Sequence, residues 1–442
     1  MKSSILLLSY YYPPCNATGA NRPGSFTKNF LNNNYNVTVI TRHWTGEEKN
    51  WPDQIGETLK PPYIEKKENL EVQYFPYKRY NYFGPFGFVN TFVENVLGNF
   101  NYELQYNQFK GYIEMEMRKK NFDYIMVSSP PLTTVKLGAM MSEKFGVPLI
   151  VDFRDLENDI ILYKKKKYNW LRWQQHKLLL RHLKRWMQSA TIIFTASPPI
   201  SEYVAKETGK DVFTLNNGYN TELLSIDEVQ YKDNFHITVT GTLYEMANLP
   251  VMLEACSLLY SRNPGIRIRF NFLGLLINES IAEKFRKVIP AANLNITHRM
   301  PQREALKIAS SSHVLMLAGF DEMRGAYTTK VFEYLGLRRN ILQIPGDRDV
   351  VEELLCQTKG GYAPHSAEDA YAVIMRWYNE WNNTGVLSYN GNMQEIAKWS
   401  REQQFKKLLD RLQNVEVQNS YSTGCPPTIY KGSNGKPGTA AP

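Results

Sequence analysis

Short apolar runs rich in Ile, Leu and Val recur along the first half of the chain, at residues 5–9, 37–41, 70–75, 124–127, 149–153 and 191–195. The polar segments between them are long enough for crossover helices. Near-continuous apolar strands alternating with helices predict a parallel sheet covered on both faces. The pattern starts again after Asn220, with strands expected at 237–240, 267–273, 296–299, 314–318 and 341–344, and helices at 250–259, 303–311 and 330–337. Between the two sets, residues 216–233 interrupt the periodicity with Asn-Asn-Gly and a charged, Asp-containing stretch. The expectation is an α/β protein with two Rossmann-like, doubly wound domains, 1–218 and 219–415, facing a central cleft, because open sheets bind ligands at the carboxyl ends of their strands. A length of 442 residues suits two cores. A helical pattern over 396–412 either closes the second domain or crosses back to the first, and the Gly/Pro/Ser-rich residues 416–442 read as a disordered or appended tail.

Chemistry concentrates in three places. The segment Arg324-Gly-Ala-Tyr-Thr-Thr-Lys-Val-Phe-Glu-Tyr-Leu-Gly336 sets a loop against a short helix. Lys330 and Glu333, three residues apart, share one face of that helix, beside its unpaired first-turn N–H groups and the positive end of its dipole. Such an end attracts phosphate. A lysine there neutralises a diphosphate while a carboxylate one turn on accepts from sugar hydroxyls; an ordinary solvated Lys–Glu pair has the same spacing. The loop after the first strand, Cys15-Asn-Ala-Thr-Gly-Ala-Asn-Arg-Pro-Gly24, lacks G-x-G-x-x-G, which disfavours an NAD enzyme. Gly19, ahead of a helix with Arg22 in its first turn, either brings backbone amides to a phosphate or sugar or forms a plain strand-to-helix turn. Asp152-Phe-Arg-Asp155 ends an apolar strand, where charges are costly unless they face water, a ligand or one another. Alternation puts Asp152 and Arg154 on one face, with Asp155 entering the loop. These groups either orient acceptor and donor hydroxyls or form a buried Asp–Arg pair that staples the loop.

Further stretches stand in a fixed order: Ile5-Leu-Leu-Leu-Ser9 leading to Tyr12-Pro-Pro14, Asn36-Val-Thr-Val-Ile40, Asp123-Tyr-Ile-Met-Val-Ser-Ser-Pro-Pro131, Asn216-Asn-Gly-Tyr-Asn220, Thr240-Gly-Thr-Leu-Tyr244, and Asn340-Ile-Leu-Gln-Ile344 after the Lys330 helix. With Val147-Pro-Leu-Ile-Val-Asp-Phe-Arg-Asp155, the series resembles the family 4 glycosyltransferases, retaining enzymes of the GT-B fold, in particular the bacterial branch that builds surface polysaccharides. The resemblance implies that the first domain, 1–218, binds the acceptor and the second, 219–415, the nucleotide-sugar, with donor contacts at Gly19, Arg22, Gly241, Met300, Arg324, Thr328, Thr329, Lys330 and Glu333, and catalytic roles for Asp152, Arg154, Asp155 and Lys330. It implies no protein nucleophile: the departing diphosphate helps to deprotonate the acceptor, and catalysis rests on stabilising that diphosphate. The resemblance implies no cofactor and no metal. The chain also departs from the pattern. Thr242 and Ala247 stand where many members carry Arg and Lys, and Gly325 stands where they carry the first of two glutamates. Asp321 or Glu322 could replace that carboxylate from the preceding loop.

The formal charge of +9 is uneven. Lys164 to Lys167 lead into a helical run to Met187 with Arg172, Lys177, Arg181, Lys184 and Arg185 among Trp170, Trp173 and Trp186. That mixture favours an anionic membrane surface, although a solvated helix packing Leu178, Leu179 and Leu183 inward fits it too. A second aromatic segment, 77–109, with Tyr80, Tyr82, Phe83, Phe86, Phe88, Phe92 and Phe100, reads as membrane contact or core. No nucleic-acid motif accompanies the charge. Four well-separated cysteines indicate reduced thiols, and no run has the length of a membrane span or of a signal peptide. The expectation is a cytoplasmic glycosyltransferase of the hexosyl-transferring kind, peripheral to the inner face of the membrane, moving a sugar from a nucleotide-sugar donor to a lipid-linked saccharide acceptor for O-antigen, capsule or exopolysaccharide. Two rivals stand beside it. A sugar-nucleotide epimerase of the same fold would need converging acids and histidines, and the seven histidines form no convincing motif. A non-catalytic nucleotide-sugar or glycan-binding subunit is favoured by the missing Glu, Arg and Lys.

Overall fold

The computed structural model describes residues 2–46, 48, 56–58, 60–78, 93, 96, 106–156, 170–226, 229–243, 248–320 and 325–423. Among these, the first sheet comprises β1 (Ser4–Ser9), β2 (Asn36–Arg42), β3 (Tyr63–Lys67), β4 (Leu70–Phe75), β5 (Tyr124–Ser129), β6 (Leu149–Phe153), β7 (Ala190–Thr195) and β8 (Phe213–Thr214), in the order β3-β4-β2-β1-β5-β6-β7-β8. All neighbours are parallel except β3 and β4. Helices α1 (Asn21–Asn32), α2 (Tyr106–Lys119), α3 (Leu132–Phe145), α4 (Trp170–Trp186) and α5 (Pro198–Thr208) lie between the strands in sequence. Alternation explains the layers: Leu6, Leu8, Ile125, Val127 and Val151 enter one buried cluster, while Ile5, Leu7, Met126 and Ile150 enter another on the opposite face. Strand β3 was not expected, because its Tyr-Ile-Glu-Lys-Lys sequence is exposed throughout and carries the charges that protect a sheet edge.

The second sheet is parallel throughout, in the order β11-β10-β9-β12-β13-β14, from β9 (Phe235–Thr240), β10 (Ile268–Leu273), β11 (Leu294–Thr297), β12 (Val314–Ala318), β13 (Asn340–Ile344) and β14 (Gly361–Tyr362). Its helices are α6 (Leu249–Arg262), α7 (Glu279–Arg286), α8 (Gln302–Ser311), α9 (Thr329–Gly336), α10 (Val350–Thr358), α11 (Ala367–Thr384) and α12 (Met393–Ala397). The strand expected at 296–299 begins earlier, at Leu294, because it pairs with Phe270 to Leu273 of β10.

The last helix, α13 (Arg401–Thr423), returns to the first domain. Phe405, Leu408 and Leu412 are buried with Phe26 and Phe30 of α1, and the Phe30 and Phe405 rings meet edge to face at 4.8 Å. The helical pattern over 396–412 thus crosses back to the first domain, one of the two courses expected for it, and residues 424–442 lie outside the described residues. The two interdomain crossings are bonded side by side: Tyr219 N donates to Trp399 O at 3.1 Å and Arg401 N to Tyr219 O at 2.9 Å. Among the described residues no helix is long and apolar enough to cross a membrane.

Candidate functional site

The carboxyl end of β9 meets the first turn of α9. Tyr334 is fully buried, and its hydroxyl contacts Thr240 N at 2.9 Å and Thr240 Oγ1 at 3.0 Å, tying helix to strand end. That tie carries Lys330 across Gly241: its Nζ donates to Thr242 O at 3.2 Å, and a Cβ added to Gly241 would lie 3.1 Å from Lys330 Cε. Gly241 also has φ +75°, a conformation that favours glycine. Lys330 and Glu333 are not a solvated ion pair. Burial brings the Lys330 ammonium down to about 8 and raises the Glu333 carboxyl. Glu333 Oε1 accepts from Gln302 Nε2 of α8 at 2.8 Å. The charge that most opposes its rise is Arg401, whose Nε donates to Gly218 O at 2.9 Å. Thr328, the residue capping α9, makes no capping bond, and its hydroxyl is buried without a partner. An open first turn starting at Thr329, an unpartnered hydroxyl and a half-buried lysine are groups that complement an anion. Met300 is half-buried in the loop between β11 and α8, and its neighbour Arg299 donates to Asn16 O of the first domain at 2.8 Å. Arg324, Asp321, Glu322 and Ala247 lie outside the described residues.

The facing wall is built differently. Asp152 is fully buried in β6 and receives Arg22 Nε at 3.0 and 3.2 Å, Arg22 Nη2 at 3.0 Å and Ser128 Oγ at 3.0 Å. Arg22 also donates to Leu215 O at 2.8 Å and Asn217 Oδ1 at 3.2 Å. The buried pair thus joins Asp152 to Arg22 and not to Arg154. Arg22 was expected at a donor phosphate, but the first turn of α1 points it inward, where its guanidinium is committed to Asp152 and the first crossing. Arg154 instead lies over the Tyr11 ring at 5.1 Å and against Gly19, where a Cβ would overlap its guanidinium. Gly19 therefore makes room for Arg154, within a turn over Thr18–Ala20. Burial lowers the Arg154 pKa against the pull of Asp152. Asp155 keeps open surface, yet the protein around it raises its carboxyl, with Arg154 opposing. Arg22 acts on Arg154 and on Arg401 alike, so positive groups run across both walls, with Asp152 paired to Arg22 and Glu402 acting on Arg401.

No protein-family model and no curated protein sequence matches the chain. Solved structures do. Sucrose-phosphate synthase from Thermosynechococcus elongatus superposes on 96% of this chain and 100% of its own, with a TM-score of 0.62 at 10% identity. Anabaena HepE in complex with UDP and glucose covers 93% of this chain and 100% of its own, at a TM-score of 0.58 and 10% identity. The trehalose 6-phosphate synthase of Burkholderia multivorans covers 95% and 100%, at 0.59 and 11%. The fold is GT-B. At such identities the likeness is one of fold, and any argument about chemistry has to come from the side chains.

One of the departures, Gly325, acquires a physical account. Gly325 has φ +71°, its N donates to Asp349 Oδ2, and a Cβ there would overlap Pro199 at the start of α5. The position that carries a glutamate in the resembled family is here a bare contact between domains. Gln302 and Arg401 were not anticipated. Each opens a helix whose pattern is visible in the sequence, but nothing local ties either one to Glu333. The basic helix α4 buries Leu179, Leu183 and Trp186, and turns Trp173 outward with Lys177 Nζ 3.4 Å from its ring centroid. Lys164 to Lys167 and most of the second aromatic segment lie outside the described residues, while Tyr77 and Phe109 belong to the core.

Proposed function

We propose that the protein is a retaining glycosyltransferase that moves a sugar from a nucleotide-sugar donor to a lipid-linked saccharide acceptor in cell-surface polysaccharide synthesis. The observation that carries this reading is the unneutralised end of α9: Lys330, the unpartnered Thr328 hydroxyl and the open first turn, facing a wall that offers Arg154. A nucleoside diphosphate complements both the charge and the donors. Glu333, held by Gln302, is then one turn from the phosphates and accepts from donor hydroxyls. As the bond from the anomeric carbon to the diphosphate breaks and the acceptor oxygen bonds that carbon on the same face, negative charge grows on the leaving diphosphate beside Lys330, which stabilises it, and the acceptor hydroxyl passes its proton to the leaving oxygen. Arg154 and Asp155 orient the reactants, and the Arg22–Asp152 pair holds Arg154's strand end in place. No metal is invoked. Solved GT-B structures with UDP, glucose and UDP-glucose support this class of donor.

Location at the cytoplasmic face of the membrane is part of the proposal, supported by the outward Trp173 and Lys177 of α4. Serine replacement of Arg181, Lys184 and Arg185 is expected to reduce co-flotation with anionic vesicles. The rival reading, a binding subunit without turnover, draws on the side-chain-free contact at Gly325. The deciding experiment measures nucleotide release from UDP-, GDP- and dTDP-sugars with membrane extract as acceptor. Release with one donor, lost in Lys330→Ala and Glu333→Ala, supports the transferase; nucleotide-sugar binding without release supports the subunit; unchanged release in both variants sinks the site.

A further inference from the structure

Glu48 is a buried carboxylate that the transferase reading leaves unused. It follows β2 and is 6% exposed. Its Oε1 is fixed by Thr45 N at 2.7 Å and Thr45 Oγ1 at 2.8 Å, whereas its Oε2 is buried and has no hydrogen-bond partner. A carboxylate oxygen stripped of water and left unpartnered is among the costliest groups a fold can carry. Its position explains what could compensate. The loop bearing Glu48 is tied to the loop after β1, since Asn16 Nδ2 donates to Gly46 O at 3.2 Å, and the same Asn16 receives Arg299 from the second domain through its carbonyl oxygen. Glu48 is therefore one loop from the seam between the domains. It also shares a neighbourhood with Arg154: Trp44 stacks on Tyr11 at 5.6 Å, Arg154 lies over Tyr11, and both Glu48 and Arg154 act on the Cys15 thiol.

We propose that Glu48 is an acceptor-binding residue whose free Oε2 accepts a hydrogen bond from a saccharide hydroxyl. The assignment rests on the transferase reading and deepens it, because it gives the acceptor half of the cleft a named hydroxyl contact. No proton moves to Glu48 in the transfer; it orients the acceptor only.

Glu48→Gln is the sharp test, because glutamine keeps an oxygen for Thr45 and sets N–H donors where Oε2 accepts. Two assays are run on the full chain: nucleotide release from the donor without acceptor, and transfer of labelled sugar into a membrane lipid extract. Release is expected to be unchanged, and transfer to fall about ten- to hundredfold, as for losing one hydrogen bond to a charged group. Thr45→Val, which removes one of the bonds that orient the carboxylate, is expected to lower transfer less, again without touching release. Native-like transfer by a folded Glu48→Gln would overturn the proposal and hand the free oxygen to a buried water. Equal loss of release and transfer at an unchanged melting temperature would also overturn it, by placing Glu48 with the donor. If Glu48→Gln does not fold, native-like transfer by Thr45→Val overturns it. A native chain silent in both assays would remove the transferase reading, and this assignment with it.

Discussion

The two walls of the cleft use the same kinds of residue to opposite ends. In the first domain Arg22 and Asp152 meet within 3.0 Å, and Ser128, Asn217 and Leu215 add further hydrogen-bond partners to the pair. In the second, Lys330 and Glu333 share a helix face but find separate partners, a backbone oxygen and a glutamine amide, and each is driven toward its neutral form. A closed network of buried charges holds a strand end and a crossing in place. An incompletely satisfied one keeps capacity for a ligand. What separates structural from functional charge here is the completeness of the partner set, and the residue types alone do not show it.

The contrast can be broken at its closed end first. Asp152→Ala leaves the Arg22 guanidinium buried and unpaired, so unfolding in urea should show a loss of about 3–5 kcal/mol. Lys330→Ala is expected to do the reverse: turnover falls about 10²–10³-fold while stability holds or rises, since a desolvated ammonium is removed. Equal stability losses in the two variants would erase the distinction between the walls. Arg401→Gln should act more gently. It removes the main charge opposing the rise of Glu333, so the donor KM is expected to increase about tenfold, with the acid limb of donor binding moved to higher pH; a change in kcat alone would argue that Arg401 serves the reacting centre instead.

A further effect is in pH and has two signs. Lys330 titrates at about 8 in the folded chain and at 10.5 in its ordinary state. Between these values the unfolded chain holds a proton that the folded chain has released, so the contribution of Lys330 to stability rises with pH across that window. Donor binding needs the ammonium and should fall as pH passes about 8. Thermal melts and nucleotide titrations across this range should therefore diverge, and Lys330→Ala should flatten both trends.

Much of this molecule is legible along the chain. The strands of both sheets other than β3, β8 and β14 follow from apolar runs, and the Lys330 helix starts within a residue of its expected position. Elements held by edges and crossings were harder to see. The β3 strand has no apolar face of its own, and α13 reads as an ordinary amphipathic helix until Phe405 is found beside Phe30. In the candidate site, local spacing alone brings Lys330, Glu333 and Gly241 to one helix end and one strand end. The pairing of Arg22 was misplaced, because a side chain in the first turn of α1 can turn toward the cleft or toward β6, and only packing selects between them.

The sequence by itself determined the alternation of strand and helix, the two cores, and the cation and carboxylate on one face of α9, because these depend on periodicities of two and 3.6 residues within short segments. Only the tertiary structure decided which charges are satisfied. Arg22 reaches Asp152 across 130 residues and Gln302 reaches Glu333 across 31. Gly325 is confined by Pro199 of the other domain, and Glu48 is left with one oxygen free. Desolvation and hydrogen bonding depend on every neighbour in space, and those neighbours are set by how two sheets, two crossings and a returning helix come together.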